Sequence, residues 1–178
     1  GYCHTKNWVD RKYFFVLTFD KPYSKSEQIL RVVKENAPKY IWSFNLDKTK
    51  VLKAKIALST VSVTGAKLNL KTELPHWNFN QTRKKKKKAW NNYLSRIEIE
   101  ANKQQKEIFY TALYHLFLQP SNIADVDGKY RGADDKIADA PNKEYYSTLS
   151  IWDIYRGAFP LLQILAPERI NGIVNSLL

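Results

Sequence analysis

The segment IALSTVSVTGAKLNLKTELP (residues 56–75) contains the point at which the sequence changes from strand-like to helix-like. Its first part continues an extended stretch over residues 51–63, where valine, isoleucine and leucine favour a strand. Its second part predicts a short helix over Gly65–Glu73, which Pro75 ends because proline cannot continue a helix. We therefore expect strands before this point and helices after it, the order of an α+β chain.

Two segments upstream also have the composition of strands. Residues 12–19, KYFFVLTF, are aromatic and β-branched. Residues 39–46, KYIWSFNL, alternate so that their large apolar side chains share one face, as in a half-buried strand. Lys25–Asn36 lies between them and, being short and polar, predicts a loop or a weak helix. The first third of the chain therefore predicts antiparallel β structure, as part of a sandwich.

Downstream, apolar residues recur with the spacing of helices. The predicted helices run from an N-cap at Asn80 to about Glu100, over Lys103–Leu118, over Leu149–Leu165 with an interruption or restart near Pro160, and over Pro167–Leu178. A polar segment rich in Asp, Gly and Lys, residues 119–146, separates the second of these helices from the third. Because long loops in compact domains are commonly functional, this segment is a candidate site.

Composition excludes several classes of protein. The chain has 178 residues with 44% apolar residues, enough to form a core, so general disorder is excluded. Its single cysteine excludes an internal disulfide framework and a Cys-rich zinc site. No apolar run approaches the roughly 20 residues that span a bilayer, and no signal peptide is recognisable. We expect no membrane span.

The net charge of +12 first indicates an acidic partner such as nucleic acid. Five of the excess charges belong to one run, Lys84–Lys88, which follows Arg83. Successive helical residues advance by about 100°, so this run encircles its helix and cannot form one binding stripe. We favour an exposed, solvated helix start and expect no nucleic-acid partner. Nucleic-acid binding through Lys84–Lys88 is the remote alternative.

The acidic sequence Asp125-Val126-Asp127-Gly128 resembles the start of a calcium loop. An EF-hand loop beginning at Asp125 needs glycine at its sixth position, where this chain has Tyr130, so the EF-hand interpretation fails. Two interpretations stay open for this segment. It is either an Asp/Gly turn or a polar loop at the edge of a sugar or ion site.

Other reactive side chains lack the spacing that a catalytic or metal site needs. The three histidines, His4, His76 and His115, have no metal-ligand spacing, and for His115 a hydrogen-bonded structural role is favoured. We expect Cys3 to be inert, because no basic helix start is near to activate it. Ser147 and Ser150 lie in no nucleophile elbow, and no glycine-rich phosphate loop is present.

Trp152 and Asp153 begin a helix directly after the long polar segment. Carbohydrate sites use such pairs, since an aromatic ring packs on the apolar face of a sugar while a carboxylate accepts hydrogen bonds from its hydroxyls. The spacing alone favours a different interpretation, a core tryptophan beside an aspartate that stabilises the helix N-terminus.

Several separated motifs together resemble glycoside hydrolase family 92, whose members are calcium-dependent exo-α-mannosidases. The motifs occur in the family's order and cover nearly the whole chain. They are YFFVLTFDKPY (13–23), SVTGAKLNL (62–70), AWNNYLSRIE (89–98), FYTALYH (109–115), DVDGKYRG (125–132), YYSTLSIWDIYR (145–156) and PERI (167–170).

The resemblance implies an α+β multidomain fragment. Residues 1–63 would be the C-terminal part of an N-terminal β-sandwich, residues 64–100 the linker helices, and residues 101–178 the start of an (α/α)6 catalytic barrel. Such a barrel needs about twelve helices, so most of it would lie outside this chain.

The activity implied is the removal of terminal α-linked mannose from glycans by an inverting, calcium-assisted mechanism. The catalytic acid, the catalytic base and most calcium ligands belong to family motifs outside this chain. We therefore assign no catalytic residue and no metal ligand here, and expect the isolated chain to be inactive. None of the following falls in the catalytic motif: Glu98, Glu100, Glu107, Glu144 and Glu168. The alternative function is a non-catalytic carbohydrate-binding or structural fragment.

The resemblance also implies site residues, mannose-containing glycans as partners and a periplasmic, cell-surface or secreted location. Trp152 would contact the ring of the terminal mannose, and Asp153 would bind its hydroxyls. Asp125, Asp127 and Arg131 would shape the pocket, with structural support as the equal alternative.

Overall fold

The computed structural model describes residues 1–6, 10–29, 39–48, 50–147 and 150–178. Over these residues, five strands are followed by three helices, a two-stranded hairpin and three further helices, numbered below in chain order. This arrangement confirms the α+β class. It differs from the predicted order in the hairpin, which lies within the helical part of the chain.

The first strands form an antiparallel sheet in the order β1 (Tyr2–Thr5), β2 (Arg11–Phe19), β5 (Ala54–Ser59). Phe14 marks the register, because it pairs with Tyr2 on one side and with Ser59 on the other. The helix α1 (Val63–Glu73) packs against β2 and β5.

A separate hairpin consists of β3 (Lys25–Ile29) and β4 (Lys39–Ser43). The prediction of a loop or weak helix over Lys25–Asn36 is wrong for its first five residues, and the rest of that range lies outside the described residues. The strand escaped prediction because KSEQI is polar and largely exposed, so it has no apolar alternation. The strand β4 is exposed along its whole length in this chain, rather than half-buried as predicted.

The helix α2 (Phe79–Leu94) begins two residues earlier than predicted. Its N-cap is Asn78, whose side-chain oxygen accepts a hydrogen bond from the backbone N–H of Gln81 at 3.0 Å. The predicted cap, Asn80, lies inside the first turn. The helix also ends at Leu94 rather than near Glu100.

The helix α3 (Lys103–Leu116) agrees with the prediction to within two residues. Its start is fixed by a capping box, in which Asn102 accepts from the backbone of Gln105 while the Gln105 side chain accepts from the backbone of Asn102. Each side chain satisfies an amide that the helix leaves without an intrahelical partner.

The C-terminal helices are α4 (Ile151–Ile154), α5 (Ala158–Leu165) and α6 (Pro167–Asn175). The predicted helix over Leu149–Leu165 is interrupted at Tyr155–Gly157 and restarts at Ala158, which confirms the predicted restart near Pro160; Leu149 lies outside the described residues. Pro160 is tolerated in the first turn of α5, where the amide that proline lacks would have no intrahelical partner. Pro167 occupies the predicted position at the start of α6.

The main apolar core lies between α2, α3 and α5. Its buried members are Leu113, Phe117, Leu162, Leu165 and Ala166, against which Trp90 and Tyr93 of α2 pack. Within the described ranges, none of the helices has both the length and the apolar content that crossing a bilayer requires.

Large apolar side chains also lie exposed on the β1-β2-β5 sheet and on the helices. From the sheet they include Ile56 and Leu58, which are 58% and 57% exposed, and from the helices Ile108 and Ile164, at 63% and 74%. These faces lack the cover that apolar surface of this extent normally has in a folded domain.

Candidate functional site

Asp125 is one of the few buried charged residues of the chain, with 3% of its surface exposed. One carboxylate oxygen accepts a hydrogen bond from the Ser59 hydroxyl at 2.7 Å, and the other accepts from the Asn69 amide at 2.8 Å. Asn69 in turn accepts from the backbone N–H of Val126 at 2.9 Å. The carboxylate therefore joins the end of β5, the helix α1 and the long polar segment.

Gly65 gives this carboxylate its space. A Cβ atom at Gly65 would overlap the Asp125 carboxylate and approach the Ser59 hydroxyl to 2.8 Å. The glycine is needed here for close approach, since a real Cβ atom does not fit beside the carboxylate. Asp125 thus supports the loop from beneath.

Asp127 is exposed and belongs to the turn that Asp125 begins. Its carboxylate accepts a hydrogen bond from the backbone N–H of Lys129 at 3.1 Å, and Gly128 closes the turn with a φ of 95° and a hydrogen bond to the Asp125 carbonyl at 2.8 Å. The glycine suits this left-handed conformation. The turn leads into a short hairpin, β6 (Lys129–Arg131) and β7 (Ile137–Asp139).

Arg131, the last residue of β6, is bound on several sides. Its guanidinium donates to the Thr60 carbonyl at 2.8 Å, to the Val61 carbonyl at 3.2 Å and to the Asp135 carbonyl at 2.8 Å. It also forms a salt bridge with the Asp135 carboxylate at 3.2 Å. This residue therefore ties the hairpin to the strand-to-helix connection after β5.

Asp135 connects the same turn to the N-terminal sheet. Its carboxylate pairs with the Lys12 ammonium of β2 as well as with Arg131. The hydrogen bond from Lys12, together with the positive charges of both partners, lowers the pKa of Asp135. Lys12 and Asp135 are 123 positions apart in the chain, so this ion pair is a tertiary contact.

A cavity of about 610 Å³ lies where this turn meets the sheet. Tyr145 forms part of its wall, and its ring stacks on Tyr130 with 3.7 Å between centroids. Partial burial raises the pKa of Tyr145. Of the predicted pocket-shaping residues, Arg131 lines this cavity, whereas Asp125 and Asp127 do not. The other lining side chains include His4, Lys12, Thr60, Asp134 and Asp135.

Trp152 and Asp153 lie on a different element, the short helix α4. Trp152 is 83% exposed, and its ring centroid lies 6.4 Å from that of Tyr155. The interpretation of Trp152 as a core residue is therefore wrong for this chain. Asp153 is exposed in the first turn of the helix, as predicted from its position. An accessible ring beside an accessible carboxylate can contact a sugar.

The acidic and histidine side chains of the described residues do not cluster. Among them, no group of three or more His, Cys, Asp and Glu side chains is placed to hold a metal ion. The Asp125 oxygens, the best-buried acidic ones, are already hydrogen-bonded to Ser59 and Asn69. His4 pairs with Asp10, and His115 is exposed rather than held in a core.

Three residues that support the loop, Ser59, Gly65 and Asn69, were not predicted from sequence. The two hydrogen-bond donors, Ser59 and Asn69, lie 66 and 56 positions from Asp125 in the sequence. No local sequence pattern therefore connects them to it. The order of the motifs SVTGAKLNL and DVDGKYRG was the only available signal, since both belong to the resemblance.

The family model described as the glycosyl hydrolase family 92 catalytic domain matches residues 65–178. The match includes α1 from Gly65 onward, the Asp125 loop and the Trp152–Asp153 pair. A comparison with curated protein sequences finds no match.

Solved structures of family 92 enzymes have the same fold over almost all of this chain. The α-mannosidase BT3965 from Bacteroides thetaiotaomicron, also solved in complex with mannoimidazole, is 28% identical, with a TM-score of 0.82 over 94% of this chain and 24% of its own. The enzyme CcMan5 is 24% identical, with a TM-score of 0.79 over 95% and 24%. The inverting mannosidase BT2199 from B. thetaiotaomicron VPI-5482 is 22% identical, with a TM-score of 0.78 over 93% and 24%. This chain spans about a quarter of the length of each.

Proposed function

Because the chain belongs to glycosyl hydrolase family 92, we propose that it is part of an α-mannosidase that removes terminal α-linked mannose from glycans. The match of residues 65–178 to the family's catalytic domain carries this proposal. The mannoimidazole complex of BT3965 supports a mannose-containing ligand.

We place the chain at a junction in the larger enzyme. Residues 1–63 would complete an N-terminal β-sandwich, residues 64–100 would link the domains, and residues 101–178 would begin an (α/α)6 barrel. The apolar side chains left exposed on the sheet and on the helices support this placement, because further strands and helices would cover them. Ile56 and Leu58 would face the sandwich interior, and Ile164 the barrel.

We propose an inverting reaction whose acid and base lie in the rest of the catalytic domain. Inversion needs two carboxyl groups roughly 6.5–9.5 Å apart, with a raised pKa on the acid. Glu168 is unsuited to the acid role, because the hydrogen bond from Arg96 and the Arg96 charge lower the pKa of its carboxyl group. Glu168 is therefore not our candidate for the acid, which we place outside this chain by family resemblance.

Trp152 and Asp153 are our proposed contacts to the terminal mannose. The exposure of the Trp152 ring supports packing against the apolar face of a sugar, and the adjacent carboxylate of Asp153 would accept hydrogen bonds from its hydroxyls. We propose a supporting role for Asp125 and Arg131, and the engagement of their polar atoms within the protein supports it.

Calcium dependence and an exported location, whether periplasmic, cell-surface or secreted, are proposals from the family resemblance. The calcium ligands would come from the remainder of the catalytic domain. The second candidate function, a carbohydrate-binding or structural fragment without turnover, applies to the isolated 178 residues. It is favoured there by the exposed Trp152–Asp153 pair and by the unsuitable environment of Glu168.

Two assays test the proposal. The isolated chain, given an α-mannoside and calcium, should release no mannose, and release at the rate of a complete family member would refute an external acid and base. In a polypeptide extended to the length of the relatives, Asp153→Ala should lower kcat/KM by about 10- to 150-fold, the loss of a hydrogen bond to a desolvated sugar. Asp139→Ala, which removes an exposed carboxylate from β7, is the matched control. Equal activities of the two variants would refute the role of Asp153.

A further inference from the structure

We propose that Tyr155 is a further substrate contact, which binds the sugar residue to which the terminal mannose is joined. This inference rests on the proposed function, because it extends the Trp152–Asp153 contact to a second sugar. Tyr155 would then help to determine which glycans are accepted, since a substrate without a second sugar does not reach it.

The segment WDIYR (152–156) contains two aromatic residues three positions apart, each followed by a charged residue. Tyr155 directly follows α4, and its backbone N–H still donates to the Ile151 carbonyl at 2.9 Å, so the helical turn includes it. Residues three apart on a helix lie on the same side of it. Trp152 and Tyr155 therefore share one side of the turn. Asp153 and Arg156 are each rotated by about 100° from the ring that precedes them.

Both rings are open to an external ligand. Trp152 is 83% exposed and Tyr155 is 51% exposed. Their ring centroids lie 6.4 Å apart, with an angle of 40° between the ring planes. In the described part of the chain, neither ring stacks on any other aromatic ring. The two rings form one aromatic surface, which is long enough for two joined pyranose rings rather than one.

Arg156 fixes the Tyr155 ring and leaves its hydroxyl hydrogen free. The guanidinium carbon lies 5.6 Å from the ring centroid, and Nη2 donates to the phenol oxygen at 3.0 Å. Because the phenol oxygen accepts this bond, its own hydrogen can be donated to a sugar oxygen. The segment thus places a carboxylate acceptor beside Trp152 and a hydroxyl donor at Tyr155. Sugar hydroxyls, which both donate and accept, match this pair of groups.

The alternative is a structural role, in which Tyr155 packs against the remainder of the catalytic domain. Covering the ring in that way would also bury Arg156. Among the described residues, no carboxylate pairs with Arg156, and a buried charge without a partner is costly. The charge beside the ring therefore favours a solvent-accessible role at a ligand site. The two roles also predict different effects of the same substitution.

The experiment uses the polypeptide extended to the length of the relatives and two substrates that share the terminal mannose. One is the α-mannobiose whose linkage the unaltered enzyme hydrolyses, and the other is α-mannosyl fluoride, which has no second sugar. Tyr155→Phe should lower kcat/KM for α-mannobiose by about 2- to 13-fold, the loss of one neutral hydrogen bond. Tyr155→Ala should lower it by at least about 10-fold, because the ring contact is lost as well. Both variants should leave kcat/KM for the fluoride unchanged.

The matched control is Tyr23→Ala, which removes another exposed tyrosine ring, 56% exposed, and should change neither value. Equal losses on both substrates for Tyr155→Ala would show a structural role and overturn the inference. Unchanged hydrolysis of α-mannobiose by Tyr155→Phe would overturn it too, and this variant decides the question if the alanine variant does not fold.

A different variant tests the proposed function on the same two substrates. Asp153→Ala should lower kcat/KM for both, because both carry the terminal mannose. With that result, a failure of the Tyr155 variants to distinguish the substrates would overturn the second-sugar contact alone. Full activity of Asp153→Ala would refute the proposed mannose contact. No hydrolysis of either substrate by the unaltered enzyme would refute the proposed activity and the second-sugar contact with it.

Discussion

Replacing Asp125 with alanine should destabilise the chain more than replacing any other acidic residue of the long polar segment. The carboxylate is 3% exposed and accepts hydrogen bonds from Ser59 at 2.7 Å and Asn69 at 2.8 Å. The substitution removes both acceptors at once and leaves the buried amide of Asn69 with one partner fewer.

The magnitude follows from these contacts. A hydrogen bond to a charged group contributes about 1.5–3 kcal/mol, and a buried donor left without its partner costs about 1–3 kcal/mol. Because Ser59 and Asn69 each have other hydrogen-bond partners and can partly adjust, we expect a total loss of about 3–5 kcal/mol in the free energy of unfolding.

Asp125→Asn separates the charge from the shape of the side chain. One oxygen remains to accept from Asn69, but the new amide would donate toward Ser59, whose oxygen already accepts from the backbone of Val61 and Ser62 at 2.9 and 3.2 Å. We expect this milder conflict to cost about 1–2 kcal/mol.

Urea unfolding, followed by circular dichroism and tryptophan fluorescence, measures these differences. Asp127→Ala is the matched control, since that exposed carboxylate accepts only a local bond from Lys129 and should cost less than about 1 kcal/mol. If Asp125→Ala and Asp127→Ala proved equally mild, the buried carboxylate would not hold the loop to the sheet, and the reasoning would be refuted.

Three further perturbations test other contacts. Gly65→Ala should cost about 1–3 kcal/mol in urea unfolding, because the added Cβ overlaps the Asp125 carboxylate, and a neutral result would contradict that packing. Asp135→Asn should remove stability at neutral pH and flatten the acid limb of the pH–stability curve. The lowered pKa of Asp135 gives stability that is present above the unfolded-state pKa of about 4 and is lost as pH falls through the folded-state pKa; an unchanged curve would disprove this. Lys84→Glu should raise the free energy of unfolding by about 0.5–1 kcal/mol, since it replaces repulsion from Lys88 with attraction. Lys48→Glu controls for the change in net charge.

The sequence predicted helices better than strands for a physical reason. The helix α3 repeats its apolar spacing over 14 residues and carries a capping box at its start, so two independent signals agree. The strand β3 has four polar residues among its five and owes its existence to pairing with β4. Its partner lies beyond a stretch of sequence that gives no hairpin signal, and only the tertiary context makes the strand.

Helix boundaries failed where two residues offered the same chemistry. Asn78 and Asn80 are both good N-caps by type, and the choice depends on which one has an extended backbone. Likewise, Pro160 was compatible with an interruption or with a restart of the helix, and it lies in the first turn of α5, just after the interruption at Tyr155–Gly157. Residue type alone does not decide either case, because each residue is compatible with two positions.

The candidate site was predicted unevenly. The family resemblance assigned Trp152 and Asp153 to the site, whereas their spacing alone favoured a core tryptophan, and the structure places them on one short helix with the ring exposed. The family resemblance indicated Asp125 and Arg131, but their partners come from residues 59–69 and 135. Local sequence could not distinguish a pocket wall from a buried support, because that distinction depends on contacts between distant segments.

Those contacts also show how the two parts of the chain depend on each other. The catalytic-domain match begins at Gly65, yet Asp125 and Arg131, inside the match, bind Ser59, Thr60 and Val61, which precede it. A segment cut at the start of the match would leave a carboxylate and a guanidinium without these partners, in surroundings that the sheet no longer covers. Each lost hydrogen bond to a charged group would cost about 1.5–3 kcal/mol, and their sum is a large share of the stability of a domain of this size. The sheet is therefore structurally part of the matched segment. Ser59 at the end of β5, with Thr60 and Val61 after it, joins the sheet to that segment.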